Sequence, residues 1–388
     1  MKGWGKCELG DVLTFQRGFD LPNQRRVHGE YPIVSSNGIS DYHNEFKVKG
    51  PGIVTGRYGT IGEVFFIRDN FWPLNTSLFV KDFKGNDIRF LSYLLKTINI
   101  KGLNAAGAVP GVNRNHLHKI KIRIPPLPTQ RRIASILSAY DDLIENNLKH
   151  IKLLEELAQR AYEEWFVRMK FPGHENTPIN AETGLPEGWE RKKLGDVANI
   201  FYGYPFKANQ FNTDNIGTPI IRIRNIPTAA TNDFTTEIVD EKYKVVTGDL
   251  LVGMDGEFYI NNWPGPEAYL VQRSCNIKPK KEELRGYLSQ AIVRPIKFFE
   301  ATISGATVAH LGKKHLDTIE LLIPNKNKYF DPFNAWMKLK LNLAIQNRLL
   351  KESRDILLPR LMGGEIGVEE AEIQMNMAAE PEVNYKKN

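Results

Sequence analysis

This chain repeats itself, and the repeat constrains its fold more than any other feature. Trp4-Gly5-Lys6-Cys7-Glu8-Leu9-Gly10-Asp11-Val12 returns as Trp189-Glu190-Arg191-Lys192-Lys193-Leu194-Gly195-Asp196-Val197, an offset of 185 residues. Tyr31-Pro32-Ile33-Val34 is answered by Thr218-Pro219-Ile220-Ile221 at offset 187. Gly50-Pro51-Gly52-Ile53-Val54-Thr55-Gly56 has its counterpart in Gly248-Asp249-Leu250-Leu251-Val252-Gly253. Asn115-His116-Leu117 matches Lys314-His315-Leu316, and Ile122-Arg123-Ile124-Pro125 matches Leu321-Leu322-Ile323-Pro324, both at offset 199. The order is kept and the offset only grows, as longer loops in the second copy require.

Each copy opens with short apolar runs broken by Gly, Pro, Asn and Asp, the pattern of strands between turns. Ile53-Val54, Glu63-Val64-Phe65-Phe66-Ile67 and Ser77-Leu78-Phe79-Val80 read as strands. Ile120, Ile122 and Ile124 alternate with Lys121 and Arg123, the period of a half-buried strand. A helix is expected from Ile88 to Thr97. Its match in the second copy spans Leu284 to Phe299, where Pro295 predicts a kink or an early end.

A long helix follows each copy. Pro125-Pro126-Leu127-Pro128 forbids a helix through it and Thr129 is the expected N-cap. Ile133, Leu137, Tyr140, Ile144, Asn147, Ile151, Leu154, Ala158, Ala161 and Trp165 then recur in alternating steps of four and three. That is a coiled-coil ladder about 50 Å long. Asn147 is its one strongly polar rung: buried it would set register, exposed it would mark a frayed point. The second helix is expected from Asn334 to Leu361, with Leu339, Leu343, Leu350 and Leu357 on one stripe and Pro359 and Gly363-Gly364 ending it.

The predicted fold is therefore α+β. Two mixed, mostly β domains are separated by two long antiparallel coiled-coil helices, with an internal pseudo-two-fold. The expected divisions are residues 1–128, first domain; 129–168, central helix; 169–330, linker and second domain; 331–366, C-terminal helix; and 367–388, a disordered tail.

Charge follows the same plan. The 388 residues carry 52 Lys and Arg against 45 Asp and Glu. Residues 1–128 hold 18 basic against 10 acidic side chains, and residues 169–364 hold 26 against 22. Residues 129–168 are near neutral, and residues 365–388 are acidic, with 6 against 2. Twin basic blocks suit a polyanion contacted at two places. Two cysteines, no apolar N-terminal run and no uncharged stretch of membrane length predict a cytoplasmic protein with no membrane contact.

The usual catalytic constellations are missing from the sequence. Gly312-Lys313-Lys314 lacks the upstream glycine of a phosphate loop. His116-x-His118 has no third ligand at useful spacing, so no metal site is expected. Ile124-Pro125-Pro126-Leu127 lacks the amide and the aromatic ring that would hold a flipped adenine. Gly56-Arg57-Tyr58-Gly59-Thr60-Ile61-Gly62 leads into strand residues and reads as a turn rather than a dinucleotide loop.

Several motifs together resemble the specificity subunit of type I restriction–modification enzymes. They are the two Leu-Gly-Asp-Val openings (Leu9 to Val12, Leu194 to Val197), the run Pro125-Pro126-Leu127-Pro128-Thr129-Gln130-Arg131-Arg132-Ile133-Ala134, and the closing run from Asn347 to Ile366. Ser36-Asn37-Gly38-Ile39 with Gly52 to Gly62 resembles one class of target-recognition domain. Val252 to Phe258 with Gln272-Arg273-Ser274-Cys275 resembles another.

The resemblance implies a non-catalytic chain within an adenine-N6 methyltransferase and ATP-dependent endonuclease complex that defends against foreign DNA. Each recognition domain would read one half of a bipartite target in double-stranded DNA, and the helices would set the spacer. Two modification subunits and two restriction subunits would be the partners. S-adenosylmethionine, ATP and Mg would be used by those partners, with no cofactor bound by this chain. The alternatives are the recognition portion of a fused methyltransferase-endonuclease and a coiled-coil scaffold without DNA. The acidic tail is not accounted for by the resemblance.

Reading DNA needs Arg forks for guanine, amides for adenine and cations for phosphate. The candidates are Arg17, Asn37, Arg57, Tyr58, Asn75 and Arg114 in the first domain. In the second they are Lys207, Arg222, Arg224, Asn225, Arg273, Lys313 and Lys314. Ile133, Leu137, Tyr140, Ile144, Asn147, Ile151, Leu154, Leu339, Leu343, Leu350 and Leu357 are the candidates for helix packing and subunit docking.

Overall fold

Both copies begin by pairing their first strand with their last. In the computed structural model, which describes residues 3–100, 102, 111–303 and 309–371, Gly5–Glu8 runs antiparallel to Lys121–Ile124. Trp189–Lys193 does the same with Glu320–Pro324. The sequence matches at offsets 185 and 199 are thus the two sides of one ladder, made twice.

Inside that clasp each copy carries a four-stranded antiparallel sheet. In the first it orders Thr14–Arg17, Ser77–Asp82, Gly52–Gly56 and Val64–Ile67. In the second it orders Ala198–Tyr202, Ser274–Pro279, Leu250–Gly253 and Ile260–Asn262. A second sheet adjoins it, of three strands in one copy and five in the other. In both, a parallel pair forms at matching places: Tyr31–Ser35 with Trp72–Pro73, and Thr218–Ile221 with Ala268–Leu270.

One close approach shows why the match reaches single residues. A Cβ on Gly18 would lie 2.2 Å from the Leu74 carbonyl oxygen, and one on Gly203 would lie 2.1 Å from that of Val271. Only glycine lets the backbone cross there.

The helix at Ile88–Thr97 has the expected bounds, with the Asp87 side chain accepting from the Phe90 N–H as its cap. Its counterpart is broken. Arg285–Ala291 ends before Ile292 and Val293–Thr302 restarts after it. Pro295 therefore falls in the first turn of the new helix, where a missing N–H leaves no bond unmade.

The chain divides into two compact units, residues 1–143 with 350–388 and residues 144–349. The core of the first joins Leu9, Leu13, Phe15, Phe90 and Leu91 to Ile133, Leu137, Leu357 and Leu361. The core of the second is strongly aromatic. Phe166, Phe171, Trp189, Tyr287, Phe330 and Phe333 meet there. Glu163–Val167 winds as a wider π turn, and Tyr162 stacks on Phe166 with centroids 5.4 Å apart. The buried Tyr287 hydroxyl donates to the Leu322 carbonyl at 2.7 Å.

The long helices differ from expectation at their ends. The central helix is Leu127–Tyr162, so Pro128 lies inside its first turn and Thr129 is not the cap. The Pro126 carbonyl accepts from the Thr129 and Gln130 N–H groups instead. The C-terminal helix is Asp331–Gly363, starting earlier than Asn334 and continuing through Pro359. Leu357 and Leu361, both buried, hold that stretch on the core despite the hydrogen bond Pro359 cannot make.

Within each unit the helices run antiparallel. In the first, Asp141 pairs with Arg354 at 2.6 Å and Arg132 with Glu369 at 2.6 Å. In the second, Asn147 meets Asn347 and Glu155 pairs with Lys340 at 2.8 Å. The expected disordered tail also needs correction at its start. Residues 368–371 are helical, and Val368 and Ala371 are buried in the first core. The rest of that tail, 372–388, lies outside the described residues.

Candidate nucleic-acid interface

The strand ends of each four-stranded sheet gather the polar candidates. In the first unit Arg17 ends the strand Thr14–Arg17, and Gly18 N–H donates to the Ser77 carbonyl. Asn75 precedes Ser77 and hydrogen-bonds Asp20, which also lies 3.8 Å from Arg17. Arg57 and Tyr58 follow the neighbouring strand Gly52–Gly56, and both of their N–H groups donate to the Thr76 carbonyl. The Arg57 guanidinium stacks on the Tyr58 ring at 4.5 Å. Asn37 accepts from the Thr60 hydroxyl across the same edge. Val112 N–H donates to the Arg57 carbonyl, which brings Arg114 alongside. The six candidates of the first domain therefore share one edge. Arg17, Asn37, Tyr58 and Arg114 are exposed there, while Arg57 and Asn75 are half-buried.

This edge exists because its turns are held from below. A Cβ on Gly56 would meet the Thr60 carbonyl oxygen at 1.9 Å, so glycine closes the Gly56-to-Gly62 turn. His118 braces the other side. Its Nε2 accepts from the Phe15 N–H at 2.9 Å, so that nitrogen is unprotonated. Burial, then Arg114 and Lys84, hold the imidazole below its ordinary value. Among the described residues no His, Cys, Asp and Glu group has the makings of a metal site.

The second unit repeats the frame with other side chains. Met254 N–H donates to the Arg273 carbonyl, as Arg57 and Tyr58 do to Thr76. Asp255 forms a β-bridge with His310, as Tyr58 does with Gly111. Asp255 binds Arg273 Nη1 at 2.8 Å through one oxygen and His310 Nδ1 at 2.6 Å through the other. Lys313 and Lys314 open the short helix Lys313–Leu316 and are exposed. Burial, Lys314 and His310 lower the His315 imidazole, whose Nδ1 accepts from the Gly312 N–H at 3.0 Å.

The remaining candidates of that unit are divided. Arg224 is exposed and engages both oxygens of Asp233 at 2.7 Å. Arg222 is half-buried with its guanidinium over Phe211 at 5.7 Å. Lys207 is exposed, and its N–H donates to Glu237 at 3.0 Å. Asn225 is not available to a ligand. It is 8% exposed and its Oδ1 accepts from the Arg222 N–H at 2.8 Å, closing a local turn. An Asn in a loop looks alike in sequence whether it reads a base or caps a turn.

Asp255 and His310 were not singled out by sequence reasoning. They stand 55 residues apart, and only the strand pairing joins them. The available signal was the repeat itself, which aligns them with Tyr58 and Gly111.

The ladder on the central helix is packed along its length. Ile133, Leu137, Ile144 and Asn147 are buried, and Tyr140, Ile151 and Leu154 are half-buried. On the C-terminal helix Leu357 is buried and Leu343 and Leu350 are half-buried. Leu339 departs from the expected stripe, being 49% exposed, while Leu341 at 8% takes the inner place. Leu148, Leu153 and Leu157 of the central helix are also exposed. No helix among the described residues is long and apolar enough to cross a membrane.

The chain matches the type I restriction modification DNA specificity domain twice, over residues 1–156 and 186–335. It is 26% identical to the MjaIX type I restriction enzyme specificity subunit of Methanocaldococcus jannaschii, over 90% of this chain and 86% of that one. It is 27% identical to the putative MjaX specificity subunit of the same organism, over 83% of each. The type I restriction–modification S subunit from M. genitalium has the same fold, with a TM-score of 0.60 and 18% identity over 92% of this chain and 96% of that one. Two specificity domains of one family, in the order and places where the repeat was read, leave one conclusion: the chain belongs to the type I restriction–modification DNA specificity family, as a non-catalytic specificity subunit.

Proposed function

We propose that each unit lays its strand-end edge on one half of a split target in double-stranded DNA. The observation that carries this is the shared edge. One frame, built twice, presents Arg17, Asn37, Arg57, Asn75 and Arg114 in one unit and Arg273, His310, Lys313 and Lys314 in the other. Arg forks and amides read base edges, and lysines neutralise phosphates. Lys207, Arg222 and Arg224 extend the basic surface of the second domain.

The residue divisions 1–128, 129–168, 169–330 and 331–366 give the roles: reader, spacer, reader, spacer. The helices fix the length of the unread segment. The exposed Leu148, Leu153 and Leu157 offer apolar area to the modification subunits. Two such subunits would methylate adenine N6 with S-adenosylmethionine, and two restriction subunits would add ATP- and Mg-dependent cleavage. The complex would work in the cytoplasm.

The test is duplex binding by the specificity–modification complex across a salt series. Phosphate contacts make log K fall linearly with log salt. A steep slope, plus tighter binding to one split sequence, is the expected result. Binding that is weak and indifferent to salt would favour a scaffold without DNA.

A further inference from the structure

Asp255 stands at an edge where a carboxylate should be unwelcome. Arg273, Lys313 and Lys314 stand on that edge, and a free carboxylate beside them would repel phosphate. It is not free. Its side chain is 17% exposed, one oxygen accepts from Arg273 Nη1 at 2.8 Å, and the other accepts from His310 Nδ1 at 2.6 Å. Both oxygens have donors, so Asp255 is poorly placed to accept from a cytosine amino group as well. Arg273 is 68% exposed and His310 61%. The charge of Asp255 is thus spent on holding two exposed side chains, Arg273 and His310.

Arg273 adds a second observation. It sits in the left-handed region with φ of 68°, a conformation that costs a residue with a side chain. Its N–H and carbonyl stand at the start of Ser274–Pro279, and the carbonyl accepts from Met254 N–H at 2.8 Å. The backbone is therefore held, and the fork is clamped at Nη1. Nη2 and Nε remain to form a bidentate pair with O6 and N7 of a guanine.

The repeat gives a third. In the first unit the matching bridge position carries Tyr58, stacked by Arg57, facing Gly111. Two backbone bonds recur, Arg57 N–H to Thr76 and Val112 N–H to Arg57 matching Met254 N–H to Arg273 and Leu311 N–H to Met254, while the side chains differ. A frame kept constant beneath changed donors is what a reading position requires.

We infer that Arg273 is a guanine-reading residue of the second half-site, with Asp255 as its positioning residue, itself held from its other oxygen by His310. This rests on the DNA-reading role proposed above. It goes further in naming the base and the residue that aims the fork.

The experiment uses the intact specificity–modification complex and duplexes carrying every single-base change in both half-sites. Wild-type complex should penalise loss of one guanine in the second half-site. In Arg273→Ala that penalty should vanish, cognate affinity should fall roughly 10- to 100-fold, and discrimination in the first half-site should stay. Asp255→Asn keeps the guanidinium but loosens its clamp. It should weaken the penalty at the same base pair without changing the salt slope, because no phosphate contact is lost. Arg273→Ala with every second-half penalty intact would overturn the assignment. So would a loss of discrimination in both halves at once, which marks a structural residue. A wild-type complex that prefers no split sequence would overturn the DNA-reading role itself, and this assignment with it.

Discussion

Asn147 Nδ2 donates to Asn347 Oδ1 at 2.9 Å, and the two side chains are 3% and 4% exposed. The same amide donates to Gln346 Oε1 at 2.8 Å, and Asn347 Nδ2 reaches the Ile144 carbonyl at 3.4 Å. A buried amide rung of this kind is satisfied in one register of the two helices and orphaned in others. The ladder's single polar rung is thus buried and partnered rather than frayed.

Asn147→Ala should destabilise the chain by about 1–3 kcal/mol, because it strands the buried Asn347 oxygen. Replacing Asn147 and Asn347 together by leucine should restore or raise stability while relaxing register. Denaturant unfolding reads the first effect. Methylation of targets with altered spacers reads the second. A double variant that still methylates at one spacer length would show that the pair does not set the register.

Asp141 is the corresponding polar anchor in the first unit. It accepts from the Tyr93 hydroxyl at 2.5 Å and from Arg354 at 2.6 Å. Burial, then the Asp141 hydrogen bond, push the Tyr93 hydroxyl well above its ordinary value. Asp141→Ala leaves the Tyr93 hydroxyl without its acceptor and Arg354 with Asp355 alone, and a cost of about 1–3 kcal/mol is expected. A double-mutant cycle with Tyr93→Phe measures the coupling directly. Additive losses would mean that the two side chains do not cooperate.

His118 predicts a pH dependence. Burial, then Arg114 and Lys84, hold its imidazole below the ordinary histidine value of about 6.5, so the folded chain favours the neutral ring. The stabilisation is present above 6.5 and is lost as pH falls through the lower, folded value. Protonation also removes the acceptor for the Phe15 N–H. The first unit should therefore unfold at a lower temperature as the pH drops from about 6.5 toward the folded value, and level off beneath it. His118→Gln should flatten this dependence, and a variant with an unchanged profile would remove His118 as the cause.

The two recognition domains should be separable. Exchanging residues 169–330 for another recognition domain should change one half of the target only. Lengthening the ladder between Ile133 and Trp165 should change the spacer only. Methylation mapping of each variant decides both, and coupled changes in the two halves would end the modular account.

Much of the fold could be read in the sequence because it is local or repeated. The alternation at Ile120, Ile122 and Ile124 marked a strand, and the steps from Ile133 to Trp165 marked a helix whose rungs all turn inward. Errors arose where tertiary packing overrides a local rule. Pro359 should stop a helix, yet buried Leu357 and Leu361 carry it onward. Leu339 fitted a stripe by spacing, but the helix turns that side to solvent. The candidate site was legible as a list of residue types. Its grouping was not, since Asn37 meets Thr60, and Asp255 meets His310, only through strand pairing. Asn225 shows the cost: an amide that suited a base is buried in its own turn.

The most direct measurement is long-read methylation mapping of a host carrying this chain with its modification subunit, against a host carrying the modification subunit alone. A new split motif with N6-methyladenine in each half is the predicted result. Expression of both proteins as a stable complex with no new motif would contradict the account.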